Sequence, residues 1–199
     1  EMCIRDRDWC ERYRYTIAMT AIPFAVALGI YTGILLSAFG ARPFWNSGVL
    51  GPLFLVSGMS TAAALVALIA RQHSEKELFT RIDVALIVVE IALVALFLIN
   101  LATGSGPQIE ALQSVLGGAY TLVFWVLFVG IGLLIPLLLE MLEISGVSRK
   151  LAVLAPVLVL LGGYALRQIM LDAGQESSWT SYDTQYNSEL LERLHEKNP

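Results

Sequence analysis

An all-α, polytopic transmembrane helical bundle is the fold class this sequence predicts, on three observations. Of 199 residues, 56% are hydrophobic and only 15% are charged. The apolar residues gather into five stretches, 15–39, 49–70, 82–103, 116–141 and 151–171. Each is near the ~20 residues that cross hydrocarbon at about 1.5 Å of rise per residue. Short polar loops separate them, and Lys and Arg collect in alternate loops. Buried helices of a soluble protein are also apolar all round, but five in succession leave too little polar surface for one.

The elements follow in order. Residues 1–13 form a polar head. Its start, Glu1-Met2-Cys3-Ile4-Arg5-Asp6-Arg7, has neither amphipathic nor apolar periodicity. It reads as adapter-like sequence at the broken end of a reading frame, so an N-terminally truncated chain is expected; a short native head is the alternative. The transmembrane domain occupies 14–172. Its first span stops at Arg42-Pro43-Phe44-Trp45-Asn46, where proline ends the helix and the aromatic pair is expected at the membrane interface. The third span ends at Gly104-Ser105-Gly106-Pro107, a turn signal, which assigns 104–115 to a loop. A polar tail, 173–199, closes the chain, with Trp179, Tyr182 and Tyr186 and a candidate surface helix over 188–197.

Loop charges give an orientation. Arg5, Arg7, Arg12 and Arg14 precede the first span; Arg71, Lys76 and Arg81 lie in 71–81, and Arg149 and Lys150 in 142–150. Loop 41–48 has Arg42 alone, and 104–115 has no Lys or Arg. Because Lys and Arg gather on the cytoplasmic side, the chain is expected to enter from the cytoplasm and end outside, in the inner (cytoplasmic) membrane. The net charge of −4 and the lack of a basic run argue against nucleic acid.

Ionisable groups inside the spans are the functional candidates, since a charge at a helix centre costs at least ~2.5 kcal/mol on insertion scales. Glu90 lies about 12 Å of rise into the third span, near the midplane. Asp83, seven residues earlier, shares its helix face. Hydrocarbon disfavours the charged form, so Glu90 is expected as a neutral acid able to take up and release a proton, or simply to bond a neighbouring helix. Arg167 stays charged and needs an acidic partner, with Asp172 one candidate, unless it snorkels to the outer interface. Ser57, Ser60 and Thr61 are expected near the depth of Glu90. Read from the inside, Asp83 and Glu140 come first, then Glu90 with Ser60 and Thr61, then Arg167, Tyr164 and Asp172. That order suits a proton path, a scatter of locally satisfied groups equally, and Glu140 is placed near enough to the inner interface to face water.

Other chemistry is thin. Cys3 and Cys10 precede the spans and form no Cys-x-x-Cys, so the chain holds no iron–sulfur cluster alone. His73 and His195 lie outside the spans, which excludes a bis-histidine haem within them.

The run Gly29-Ile30-Tyr31-Thr32-Gly33-Ile34-Leu35-Leu36-Ser37, followed by Ala41-Arg42-Pro43-Phe44-Trp45-Asn46-Ser47, resembles the NrfD/polysulfide reductase membrane-subunit family. Leu55-Val56-Ser57-Gly58-Met59-Ser60-Thr61, Gly162-Gly163-Tyr164-Ala165-Leu166-Arg167 and Asp172-Ala173-Gly174-Gln175 match as well, in the right order, over about 15–176. The resemblance implies a haem-free, eight-helix subunit that exchanges electrons with quinone or menaquinone. It also implies an iron–sulfur partner, which meets a molybdopterin or multihaem catalytic subunit. The five spans would be the last five of eight. Since the family builds most of its quinone pocket from the N-terminal half, only Tyr31 and Thr32 are carried over as quinone contacts. Asp83, Glu90, Ser60, Thr61, Arg167 and Asp172 fall in the half linked with proton conduction. Rival readings are an ion or solute transporter coupling Glu90 to Arg167, and a purely structural membrane anchor. No internal repeat among the spans supports the transporter.

Overall fold

Hydrophobic length dictates the architecture. In the computed structural model, residues 2–145 and 153–178 are described, with side chains from residue 12 onward. The described residues are helical with no strand. The helices are α1 (Met2–Ser37), α2 (Leu50–Ile69), α3 (His73–Ala102), α4 (Gly106–Leu116), α5 (Val123–Ile144) and α6 (Leu154–Glu176). All but α4 contain a stretch long and apolar enough to cross a bilayer. The protein is a multi-pass membrane protein. Trp179, Tyr182, Tyr186, Arg149, Lys150, His195 and the helix expected over 188–197 lie outside the described residues.

α2 is the central helix, packed against α1, α3 and α6; α5 closes the bundle against α3 and α6. Small residues set the closest approaches. A Cβ on Gly33 would meet the Leu50 carbonyl oxygen at 2.5 Å and Gly51 Cα at 2.6 Å. Gly132 of α5 and Gly162 of α6 face each other, each hypothetical Cβ lying 2.5 Å from the other's Cα. Backbone approach of this kind is how helices gain van der Waals contact where lipid removes the hydrophobic drive between them. α1 is attached through α2, and only 6% of its apolar window is buried.

Four elements differ from the sequence expectation. α3 starts at His73, well before residue 82, because an acidic first turn and the Glu77–Arg81 pair, 2.7 Å apart, sustain helix beyond the apolar stretch. The expected loop 104–115 is α4. The backbone N–H of Ser105 donates to Gln108 Oε1 at 2.8 Å, half of a capping box, and proline sits in the first turn. Within α5, Val123–Leu134 is π-helical and Ile135–Ile144 α-helical, the change falling beside Pro136, which has no N–H to donate.

The fourth difference concerns the aromatic pair. Phe44 and Trp45 are 0% and 8% exposed, so they are core residues rather than interfacial anchors. Phe44 stacks edge-on against Phe97 at 5.4 Å. Trp45 Nε1 donates to the Met170 carbonyl at 2.7 Å, with its indole against Gly174. Arg42 reaches the Ser177 carbonyl at 2.8 Å, and Gln108 Nε2 the Asn46 carbonyl at 2.9 Å. The α1–α2 connection is thus a folded plug that ties α4 and the end of α6 together. An indole N–H in the core needs an acceptor, and Met170 supplies it.

Candidate functional site

Antiparallel packing decides which polar groups meet. α2 descends from Leu50 while α3 and α6 ascend toward Ala102 and Glu176, so higher numbers on α2 face lower numbers on its neighbours. Ser60 Oγ accordingly donates to Asp83 Oδ1 at 2.6 Å, both groups being fully buried. Glu140 of α5, 2% exposed, faces Asp83 at hydrogen-bonding range. The water-facing alternative for Glu140 is thereby excluded. One turn beyond it, Glu143 Oε1 pairs with Lys76 Nζ at 3.3 Å.

The second layer sits about two helical turns away. Glu90, 2% exposed, lies beside the Ser57 hydroxyl and feels the charges of Asp83 and Arg167. Ser60 therefore belongs to the Asp83 layer, and Ser57 is the hydroxyl at the level of Glu90. Asp83 Oδ2, Glu90 Oε1, Glu140 Oε2 and Ser57 Oγ are buried with no hydrogen bond to a described residue. An unsatisfied buried polar atom costs ~1–3 kcal/mol, so three such carboxyl oxygens in one bundle are a concentrated expense. Thr61 spends its hydroxyl on its own helix, at 3.0 Å from the Ser57 carbonyl and 2.9 Å from that of Gly58, while its methyl meets Gly163.

Arg167 lies at the Glu90 level rather than following it in the outward order. Its Nη1 donates to the Gly163 carbonyl at 2.7 Å, and a Cβ on Gly58 would lie 3.7 Å from Nη2. Two glycines thus make room for the guanidinium. Asp172 is not its partner. It accepts instead from Gln168 Nε2 at 2.8 Å on the exposed side of α6, and no carboxylate among the described residues forms a salt bridge with Arg167. Arg167 lines a groove of about 290 Å³ with Thr32, Leu35, Leu36, Phe54 and Leu171. Its walls are apolar, its polar contributions a single cation and one hydroxyl. Thr32 Oγ1 has only a long bond, 3.4 Å, to the Gly29 carbonyl. Tyr31 and Tyr164 are 55% and 67% exposed and do not line this groove.

The sequence profile described as "Polysulphide reductase, NrfD" matches residues 7–177. The chain belongs to the NrfD family. It is 40% identical over 161 residues to "Protein NrfD" of Escherichia coli, covering 76% of this chain and 50% of that one. It is 32% identical over 162 residues to a polysulfide reductase chain of Wolinella succinogenes, covering 76% and 51%. A selenate reductase subunit of Mesobacillus selenatarsenatis is 28% identical over 203 aligned positions, covering 97% and 47%. The chain spans about half the length of these curated relatives. No solved structure matches it.

Proposed function

We propose that this chain is the quinone-interacting membrane part of a respiratory oxidoreductase complex. It passes electrons between the quinone pool and an iron–sulfur partner subunit, behind which stands a molybdopterin or multihaem catalytic subunit. Its five spans correspond to the last five of an eight-helix protein. Arg71, Lys76 and Arg81 face the cytoplasm, and the plug and α4 face the extracytoplasmic partner. The names of the relatives, subunits of polysulfide and selenate reductases among them, support the complex; the groove at Arg167 carries the chemistry.

A quinone or menaquinone fits that groove in kind. Leu35, Leu36, Phe54 and Leu171 offer an apolar wall to a ring and isoprenoid tail, and Arg167 offers charged N–H donors to a carbonyl oxygen. Such a carrier supplies paired electron and proton transfer when bound. This chain's residues orient it and handle the proton: Arg167 fixes the head, Phe54 and the leucines exclude water, and Glu90 stands at the same depth to accept a proton. From Glu90 a route through Ser57, then Ser60 and Asp83, leads to the Lys76–Glu143 end. Thr61 lies beside this route, while Asp172 belongs to the opposite mouth.

Arg167→Ala in the full-length complex tests the reading. Quinol-dependent turnover is expected to lose about 10–100-fold in kcat/KM, equivalent to ~1.4–2.8 kcal/mol, with assembly retained. Unchanged quinol kinetics in an assembled complex would overturn it, and loss of assembly alone in both Arg167→Ala and Arg167→Lys would favour the structural anchor.

A further inference from the structure

Asp83 and Glu140 come from different helices, α3 and α5, yet their carboxyls face each other with no cationic side chain among the described residues between them. The charged and titratable described groups around the pair come from every helix packed against it. α3 brings Lys76 and Glu90, α5 brings Glu143, α6 brings Arg167, and α2 brings only the hydroxyls of Ser57 and Ser60. Lys76 is engaged by Glu143, and Arg167 acts on Glu90 from the next layer. Two ionised carboxylates in contact inside hydrocarbon repel strongly, and like charges sharing a site do not both ionise. Asp83 Oδ2 and Glu140 Oε2 each lack a described donor, and a proton held between the two carboxyls supplies one. Ser60 already spends its proton on Asp83 Oδ1, as a donor to an ionised or acceptor oxygen would. One proton between the two carboxyls removes the repulsion and leaves a single charge, which the Ser60 hydroxyl already faces.

We propose that Asp83 and Glu140 form a one-proton carboxyl pair, a proton reservoir that the Lys76–Glu143 pair connects to one membrane face and Glu90 to the Arg167 groove. The inference rests on the proton route proposed above and adds Glu140, which that route did not use. Transfer is an exchange: a proton from the Lys76–Glu143 side reaches the ionised oxygen as the shared proton leaves by way of Ser60 and Ser57 for an ionised Glu90 Oε1, so the pair holds one proton before and after. No electron moves in the exchange. The pair titrates as a unit, so its two apparent steps belong to both residues.

Infrared difference spectroscopy on the full-length protein in its complex, reconstituted in lipid, reads the pair directly. Near neutral pH the wild type is expected to show a neutral-carboxyl C=O band that shifts in D₂O within the turnover time. Asp83→Asn and Glu140→Gln are both expected to abolish or shift this one band, and Glu143→Gln to leave it in place. Two bands, each removed only by its own substitution, would overturn the shared proton, as would no band at all. A band that fails to exchange during turnover would make the pair a structural hydrogen bond, and a band bleached by sodium at fixed pH would make it a cation site. Either result sinks the proposal. If a variant does not assemble, the wild-type exchange and sodium measurements still decide it. A quinol-kinetic failure at Arg167 leaves these readouts untouched, so the two proposals fail separately.

Discussion

A 2.6 Å hydrogen bond between two fully buried groups makes Ser60 the most consequential hydroxyl of the bundle. Ser60→Ala strips the donor from Asp83 Oδ1 and is expected to cost ~1–3 kcal/mol, because the carboxyl oxygen stays buried and unpaired. Ser57→Ala removes a hydroxyl that bonds nothing among the described residues, so its cost is expected below about 1 kcal/mol. Thermal unfolding in detergent compares them, and equal shifts in Tm would contradict the assigned layers. The sequence could name both serines but not rank them. Spacing within α2 places Ser57, Ser60 and Thr61 around one turn, whereas the offset between α2 and α3 decides which of them meets a carboxylate. The register of α6 put Arg167 beside Glu90, while i, i+4 spacing within α6 gave Asp172 to Gln168. Asp83, Glu90 and Arg167 were legible as candidates because a charge in an apolar run is costly wherever its neighbours are. Glu140 was harder to read, since its distance from the span's end alone cannot distinguish a core face from a wet one.

Helix contacts bring a different kind of sensitivity. Gly132 and Gly162 meet backbone to backbone, and a methyl on either must push α5 from α6. Gly132→Ala or Gly162→Ala is expected to destabilise by ~1–3 kcal/mol through overpacking, and to disturb Glu140, which α5 carries. Gly48→Ala, with open space around it, is expected to be near neutral. Folded yield and Tm of the three variants, side by side, check this. At this scale the apolar runs were legible by length alone, whereas α4 was not. Gly104-Ser105-Gly106-Pro107 carries a turn signal and a helix-start signal at once: Ser105 and Gln108 at capping-box spacing with proline in the first turn. The helix won because Gln108 also anchors to the Asn46 carbonyl, a contact 62 residues away that no local pattern contains. The buried plug escaped for a related reason. Pro43-Phe44-Trp45 looks interfacial on a lone helix, and becomes core only when α6 brings Met170 and Gly174 to it.

Across the whole molecule the polar groups form a gradient rather than a ring. Lys76 and Glu143 stand at one end, Glu140, Asp83 and Ser60 follow, then Glu90, Ser57 and Arg167, and the plug and α4 seal the other end. Such a vectorial order works only if the ends face different compartments, so orientation is the physical premise of the proposed proton route. In the proposed orientation, which the alternate basic loops favour, the Arg71–Arg81 end faces the cytoplasm. Gln72 and Gln113 are exposed at opposite ends of the bundle and report on this independently. With Cys3 and Cys10 replaced, Gln113→Cys is expected to react with a membrane-impermeant maleimide in intact cells. Gln72→Cys is expected to react only after permeabilisation. Reversal of the two patterns would turn the gradient round. The Arg167 groove and the plug would then face the cytoplasm, and the proton route would have to load from the extracytoplasmic side through Lys76 and Glu143. Labelling of both sites in intact cells would mean that α3, the span between them, does not cross the bilayer. Residues 73–102 and the plug would then need a different explanation for their burial.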